Sequence, residues 1–372
     1  MKIAIDLLWV KPQKSGGIEA YIRNLLDGLL SLDSNDKYIL LVARDNELTF
    51  NKYIEDCRFQ KIICNVNSSN IKKRILWQNL RLEKILLKNK IDVFFEPVYS
   101  KPLTFSKKIK YITTIHDLQA LHYPEYFSKF KYLWMKYSWK YAINTSNKVI
   151  TISNFVKEDM IEKYSINPNK IEVIYNPIVV SKELVDFEVI KEKYSIDYKS
   201  YYYTVAQLLP HKNLETLINV IRCIKSNNIN LPQKLLITGI NGKSINVLME
   251  LINKYDLQEN IIFTGYISDE EKNTLYKNCN VFLFPSIFEG FGMPPVEAMI
   301  LGAKVITTKY TSLYEVTQGK ACYVDNPYKI EEWMEQILNI QTAENITLDY
   351  SIYGKKIIAQ KYLGVFKKIL EG

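Results

Sequence analysis

A chain of 372 residues exceeds one ordinary domain and suits two of about 150–200 residues, each able to bury its own core. Hydrophobic content of 47% and charged content of 24% exclude a disordered chain. No apolar run reaches the roughly 18 residues of a membrane span, and Asp6 interrupts the first apolar segment, so neither a span nor a signal peptide is expected.

Short apolar runs alternate with helical patterns through the first half, as a parallel sheet with crossover helices requires. Strands are predicted at Lys2–Leu7, Tyr38–Ala43, Asp92–Phe95, Lys110–Ile115 and Lys148–Ile152. After the first comes a loop, Lys11–Gly17 (KPQKSGG), and then a helix over Ile18–Leu30. Glycines at a strand-to-helix turn let a phosphate or sugar touch the backbone. His116 and Asp117 close the run YITTI, at a carboxyl strand end where open α/β sheets place ligands.

Two stretches of this half are basic and amphipathic. One is 71–90, IKKRILWQNLRLEKILLKNK. In the other, 127–148, Phe127, Phe130, Trp134, Tyr137 and Tyr141 recur at helical spacing among lysines 129, 131, 136, 140 and 148. Rings at headgroup level with lysines towards anionic lipid describe an interfacial helix. The other reading is a domain helix with its aromatic stripe in the core. Ser153 caps a further helix, and 171–178 (IEVIYNPI) reads as a strand. Residues 1–180 hold 28 Lys or Arg against 18 Asp or Glu (+10), leaving 21 against 22 (−1) for 181–372. Any acidic surface is therefore met by the first half. The domain boundary is placed between 177 and 200, where the charge shifts.

The second half restarts the alternation at Tyr201–Ala206, followed by QLLPHKNLETLINVI with a helix from Asn213. Lys212 stands just before that helix as a point charge beside free amides, which suits a diphosphate. Strands follow at Lys234–Thr238, Ile261–Thr264, Val281–Phe284 and Val305–Thr308, and an amphipathic helix at Tyr350–Leu370 ends the chain. Beyond Val281–Phe284 lies a loop with Glu289, Gly290, Phe291 and Gly292. A helix opened by Pro294 and Pro295 then runs to Leu301 and stops at Gly302. Free N–H groups and the helix dipole favour a phosphate there, and Glu297, expected in the first turn, suits the vicinal hydroxyls of a ribose. The five cysteines (57, 64, 223, 279, 322) form no C-x-x-C pair, which fits reduced thiols rather than disulfides or a zinc site.

The segment FEGFGMPPVEAM resembles the Glu-x7-Glu signature of the retaining glycosyltransferases of family four. That resemblance implies an α/β GT-B fold, two Rossmann-like domains facing across a cleft. Residues 1–180 would bind acceptor, 181–350 would bind a nucleotide sugar, and 351–372 would form a helix returning to the first domain. It implies that Glu297 binds the ribose and that Glu289 lies beside the donor sugar, held by the amides of Gly290, Phe291, Gly292 and Met293. Gly16 and Gly17 would face the diphosphate, Gly239 would line the cleft floor, Lys212 would neutralise the departing diphosphate, and Asn213 would be among the donor-binding residues. His116 would act close to the donor sugar with Asp117 behind it; His122 has no role. Many members carry an arginine where Gln207 stands, so Lys212 bears more of the charge.

His116, Glu289 and Lys212 are thus the expected catalytic residues. No Asp-x-Asp occurs, so no metal is expected, and no cofactor beyond the nucleotide sugar itself. The expected activity is transfer of a hexose, best mannose from GDP-mannose, to a lipid-linked oligosaccharide in bacterial surface-polysaccharide assembly. A UDP-hexose donor is the alternative, and a non-catalytic nucleotide-sugar-binding scaffold a second. The expected partners are the nucleotide sugar, a lipid-linked saccharide acceptor and an anionic membrane reached through the N-terminal domain, with no nucleic acid. The expected location is cytoplasmic, peripheral on the inner face of the plasma membrane.

Overall fold

The computed structural model describes residues 1–12, 16–99, 101–103, 106–181, 183–240, 242–343 and 347–371. The chain divides into two units, Met1–Val179 with Ser351–Gly372, and Val180–Tyr350.

In the first unit, β1 (Lys2–Asp6), β2 (Lys37–Ala43), β3 (Phe59–Cys64), β4 (Val93–Glu96), β5 (Lys110–Ile115), β6 (Lys148–Thr151) and β7 (Ile171–Val173) form one sheet. Its order is β3-β2-β1-β4-β5-β6-β7, and every pair is parallel. The second unit holds β8 (Tyr201–Val205), β9 (Lys234–Thr238), β10 (Ile261–Gly265), β11 (Val281–Phe284), β12 (Val305–Thr308) and β13 (Cys322–Val324). They lie in the order β10-β9-β8-β11-β12-β13, again all parallel. Both sheets therefore have the doubly wound Rossmann order, reversing between β1 and β4 and between β8 and β11.

Two strands escaped the sequence pattern. β3 and β13 are edge strands, each paired on one side only. Within β3, Gln60 and Lys61 break the apolar run because the edge meets water, and β13 has only three residues. The strand expected over 171–178 pairs only through Ile171–Val173.

The first long helix spans Gly16–Leu30, two residues earlier than expected. Gly16 opens it at φ +58, a left-handed conformation that glycine adopts without a Cβ clash. Of the loop before it, Gln13, Lys14 and Ser15 lie outside the described residues. The C-terminal helix Lys355–Glu371 belongs to the first unit and packs on Gly16–Leu30. Tyr21 and Tyr362 share a buried hydrogen bond of 2.6 Å between their hydroxyls. A Cβ at Gly28 would stand 2.3 Å from the Lys355 carbonyl oxygen, so glycine sets how closely the helices approach.

The basic stretch 71–90 forms a helix, Ile71–Trp77, a π turn, Gln78–Leu82, and a helix, Glu83–Lys88. The aromatic one forms the helix Lys129–Thr145, whose cap Ser128 accepts from the Lys131 N–H. Met135, Trp139, Ala142 and Ile143 turn inward, whereas Phe130, Trp134 and Tyr137 are exposed. The stripe is thus not a core stripe. No described helix is long and apolar enough to cross a membrane.

Gly28→Ala is expected to lower the stability of the first unit by about 1–3 kcal/mol through overpacking. Gly364→Ala, where the added methyl meets open space, should raise it by about 0.5–1 kcal/mol. Urea melts of the two variants check this; shifts of one sign would contradict the packing account.

Candidate functional site

In the second unit two loops meet at the carboxyl end of the sheet, where the strand order reverses. After β8 the chain makes a short 3-10 turn, Pro210–Lys212, and Asn213 at φ +51 turns it into the helix Leu214–Ser226. After β11 it forms the Glu289–Gly292 loop and the helix Met293–Ile300. Lys212 Nζ donates to Glu289 Oε1 in an ion pair, with side chains 15% and 13% exposed. The ammonium also lies 5.6 Å from the centre of the Phe284 ring. So shielded, each charge is tolerable because the other neutralises it.

The backbone under Glu289 is strapped to the loop after β12. The Glu289 N–H donates to Thr311 Oγ1 at 3.0 Å. Ser312, fully buried, donates through Oγ to the carbonyls of Glu289 and Phe291 at 2.9 and 2.8 Å. Gly292 stands at φ +92, a conformation that disfavours any other residue at this helix start. Phe291 is buried and packs inward. Pro294 and Pro295 carry no N–H, so the amides this turn can offer come from residues before them, Gly290 to Met293.

Glu297 departs from expectation in position and partner. It is the fifth residue of its helix, beyond the first turn. Its partners are side chains: Tyr276 O–H donates to Oε2 at 3.1 Å, and Lys272 Nζ lies 3.6 Å from the same oxygen. Burial works against the Lys272 ammonium, but Glu297 and Asp269 outweigh it and hold its pKa above the ordinary lysine value. Lys272 and Tyr276 are i, i+4 on the helix Asp269–Asn278, one face of which therefore serves Glu297. Sequence reasoning missed both, and also Thr311 and Ser312; only the Ser268 cap and the i, i+4 spacing were readable.

Two other residues of the expected set do structural work. Asn213 sends its amide inward, donating to the Pro327 carbonyl at 3.0 Å and accepting from Thr216 Oγ1 at 2.9 Å, so its side chain is not directed to a ligand. A Cβ at Gly239 would fall 1.9 Å from the Ala206 carbonyl oxygen, which explains glycine there by packing of β9 beside the chain leaving β8.

In the first unit His116 follows β5, and its Nε2 lies 2.8 Å from the Pro97 carbonyl oxygen. A carbonyl only accepts, so Nε2 carries the hydrogen and Nδ1 is left as an acceptor. Burial pushes the imidazole pKa down to about 4, against the Pro97 bond, which favours the protonated ring. The ring meets Tyr21 edge-on at 4.9 Å. Asp117 accepts from the Gln119 N–H at 2.9 Å. His122 pairs with Asp159 at 2.8 Å. Gly16 and Gly17 are exposed; a Cβ at Gly17 would meet open space, so no packing demand explains that glycine. At the reversal between β1 and β4 lie two buried acids that sequence reasoning passed over, Asp6 and Glu96. Burial raises the Asp6 carboxyl above the usual range although the Leu8 N–H and Gln78 amide donate to it, at 2.8 and 2.6 Å. Among the described residues no three His, Cys, Asp or Glu side chains gather as metal ligands.

Residues 15–182 match the family Glycosyltransferase Family 4, and residues 186–357 match Glycosyl transferases group 1. The O-antigen chain mannosyltransferase RfbU of Salmonella typhimurium is 30% identical over 240 residues, 64% of this chain and 63% of that protein. The O-antigen chain mannosyltransferase B of Escherichia coli is 26% identical over 230 residues, 61% of this chain and 60% of that protein. The chain thus matches less than two thirds of the length of either relative. A solved glycosyltransferase from Rickettsia africae superposes with a TM-score of 0.70 at 21% identity, covering 100% of this chain and 99% of that one, a likeness of fold. Two Rossmann-type sheets, a Glycosyltransferase Family 4 domain over 15–182 and a Glycosyl transferases group 1 domain over 186–357 make this chain a glycosyltransferase of GT-B fold.

Proposed function

We propose that this protein is a retaining hexosyltransferase that moves mannose from GDP-mannose to a lipid-linked oligosaccharide in bacterial surface-polysaccharide assembly. The Lys212–Glu289 pair at the strand-order reversal of the second sheet carries the reading. Glycosyl transfer needs a cation for the departing diphosphate while the sugar becomes oxocarbenium-like. Lys212, at the start of the helix Leu214–Ser226, can exchange Glu289 for the diphosphate. Glu289, released from the pair, then orients the sugar hydroxyls. Glu297, held by Lys272 and Tyr276, serves the ribose, and neutral His116 offers Nδ1 to a sugar hydroxyl. With no Asp-x-Asp in the sequence, Lys212 rather than a metal supplies the positive charge.

Two relatives named as O-antigen chain mannosyltransferases favour mannose and a saccharide acceptor. Charge favours a membrane-borne one. The first unit holds 33 Lys or Arg against 19 Asp or Glu, a balance of +14, and the second 16 against 21, or −5. A surface so biased supports peripheral docking of the first unit on anionic lipid.

A panel of sugar nucleotides incubated with enzyme and lipid-linked acceptor should release GDP from GDP-mannose fastest. UDP release from a UDP-hexose at a higher rate would replace the donor, and no release from any would remove the transferase reading. Glu297→Ala should raise donor KM at least tenfold in a folded variant; unchanged kinetics would falsify the ribose role. Because folded His116 takes up a proton only near pH 4, its ring resonances should keep neutral shifts from pH 7.5 down to about 5. A titration midpoint near the ordinary value of about 6.5 would contradict its burial and assign it a charged form.

A further inference from the structure

One groove of the first unit has no part in that scheme. It encloses about 850 Å3 between the helix Lys129–Thr145 and the Ile71–Leu82 segment, a size within the roughly 300–1,000 Å3 of ligand sites. Phe130, Trp134 and Tyr137 line one wall, Ile75 the other, and Leu103 the floor. Phe130 is 77% exposed, Leu103 66% and Tyr137 64%, so these apolar groups are uncovered.

The groove is braced. Lys101 Nζ donates to the Thr145 carbonyl at 2.6 Å, Tyr141 O–H to the Leu103 carbonyl at 2.8 Å, and the Leu103 N–H to Asn79 Oδ1 at 2.7 Å. The Lys101–Leu103 stretch of the floor is thus tied to both walls. Of the basic residues on the two flanking segments only Lys140 lines the groove, and no Asp or Glu does. Lys101, the other lysine of the lining, is committed: its ammonium donates to Thr145, and burial pushes its pKa down to about 7. The floor also runs on from the candidate site. Pro97, which holds His116, is six residues before Leu103, at most about 20 Å of extended chain.

We propose that this groove holds the hydrocarbon next to the phosphate of the lipid-linked acceptor, with the phosphate at Lys140. An aromatic lining that carries lysine and no acid is complementary to a hydrocarbon chain ending in a phosphate. The inference rests on the acceptor class proposed above.

The test titrates the full-length protein with three probes: farnesyl phosphate, inorganic phosphate, and phosphatidylglycerol–phosphatidylcholine vesicles. Farnesyl phosphate should bind saturably at concentrations where inorganic phosphate does not. Trp134→Ala should weaken that binding at least tenfold and Trp134→Phe restore it to within about threefold, with thermal midpoints unchanged. Equal binding of the two phosphates, or indifference to Trp134→Ala, overturns the proposal. So does a Trp134→Ala variant that keeps farnesyl phosphate but loses the vesicles, which would assign the groove to the bilayer. None of these titrations needs a donor, so failure of the nucleotide-release panel and failure here are separate results.

Discussion

Parallel strands cannot be joined by a tight turn; each must be followed by a crossover that returns the chain to the same end of the sheet. In both units the crossovers leave the first strand in opposite directions, so the loops beyond β1 and β4, and beyond β8 and β11, diverge and leave a crevice. The charged pair of the second unit depends on that divergence. Lys212 arrives on the loop after β8 and Glu289 on the loop after β11. Asp6 and Glu96 end β1 and β4 themselves.

Such a crevice is partly dry, and charges within it need partners. Lys212 and Glu289 cancel one another, as do Lys272 and Glu297. Removing one member would strand the other, a larger loss than the net worth of the pair. The two glutamates are anchored in different ways. Thr311 and Ser312 fix the Glu289 backbone, so its freedom lies in the side chain. Glu297 is held at the side chain itself, by a tyrosine and a lysine from one helix face. That division fits the proposed exchange at Glu289 and the proposed fixed role of Glu297.

The first unit follows another logic. His116 is kept neutral by burial and its one hydrogen is committed to Pro97, so the ring can accept but not donate. Its neighbouring helix Lys129–Thr145 has two apolar faces, one built around Trp139 in the interior and one presented to water. Four lysines on the same helix place charge beside this exposed aromatic surface.

By itself the sequence determined the alternation of strand and helix, the charge bias of the first half, the Ser153 cap, and the loop that carries Glu289 before its proline-led helix. These are local properties, written in periods of two and 3.6 and in residues with one backbone preference. Tertiary structure alone decided that Glu297 answers to Lys272 and Tyr276, that Asn213 turns inward, that Gly239 makes room for Ala206, and that Phe130, Trp134 and Tyr137 face outward. It also placed β3 and β13 at the sheet edges, where solvent erases the apolar signal. The reason is physical: periodicity reports which residues share a face, whereas what covers that face is contributed by chain many residues away.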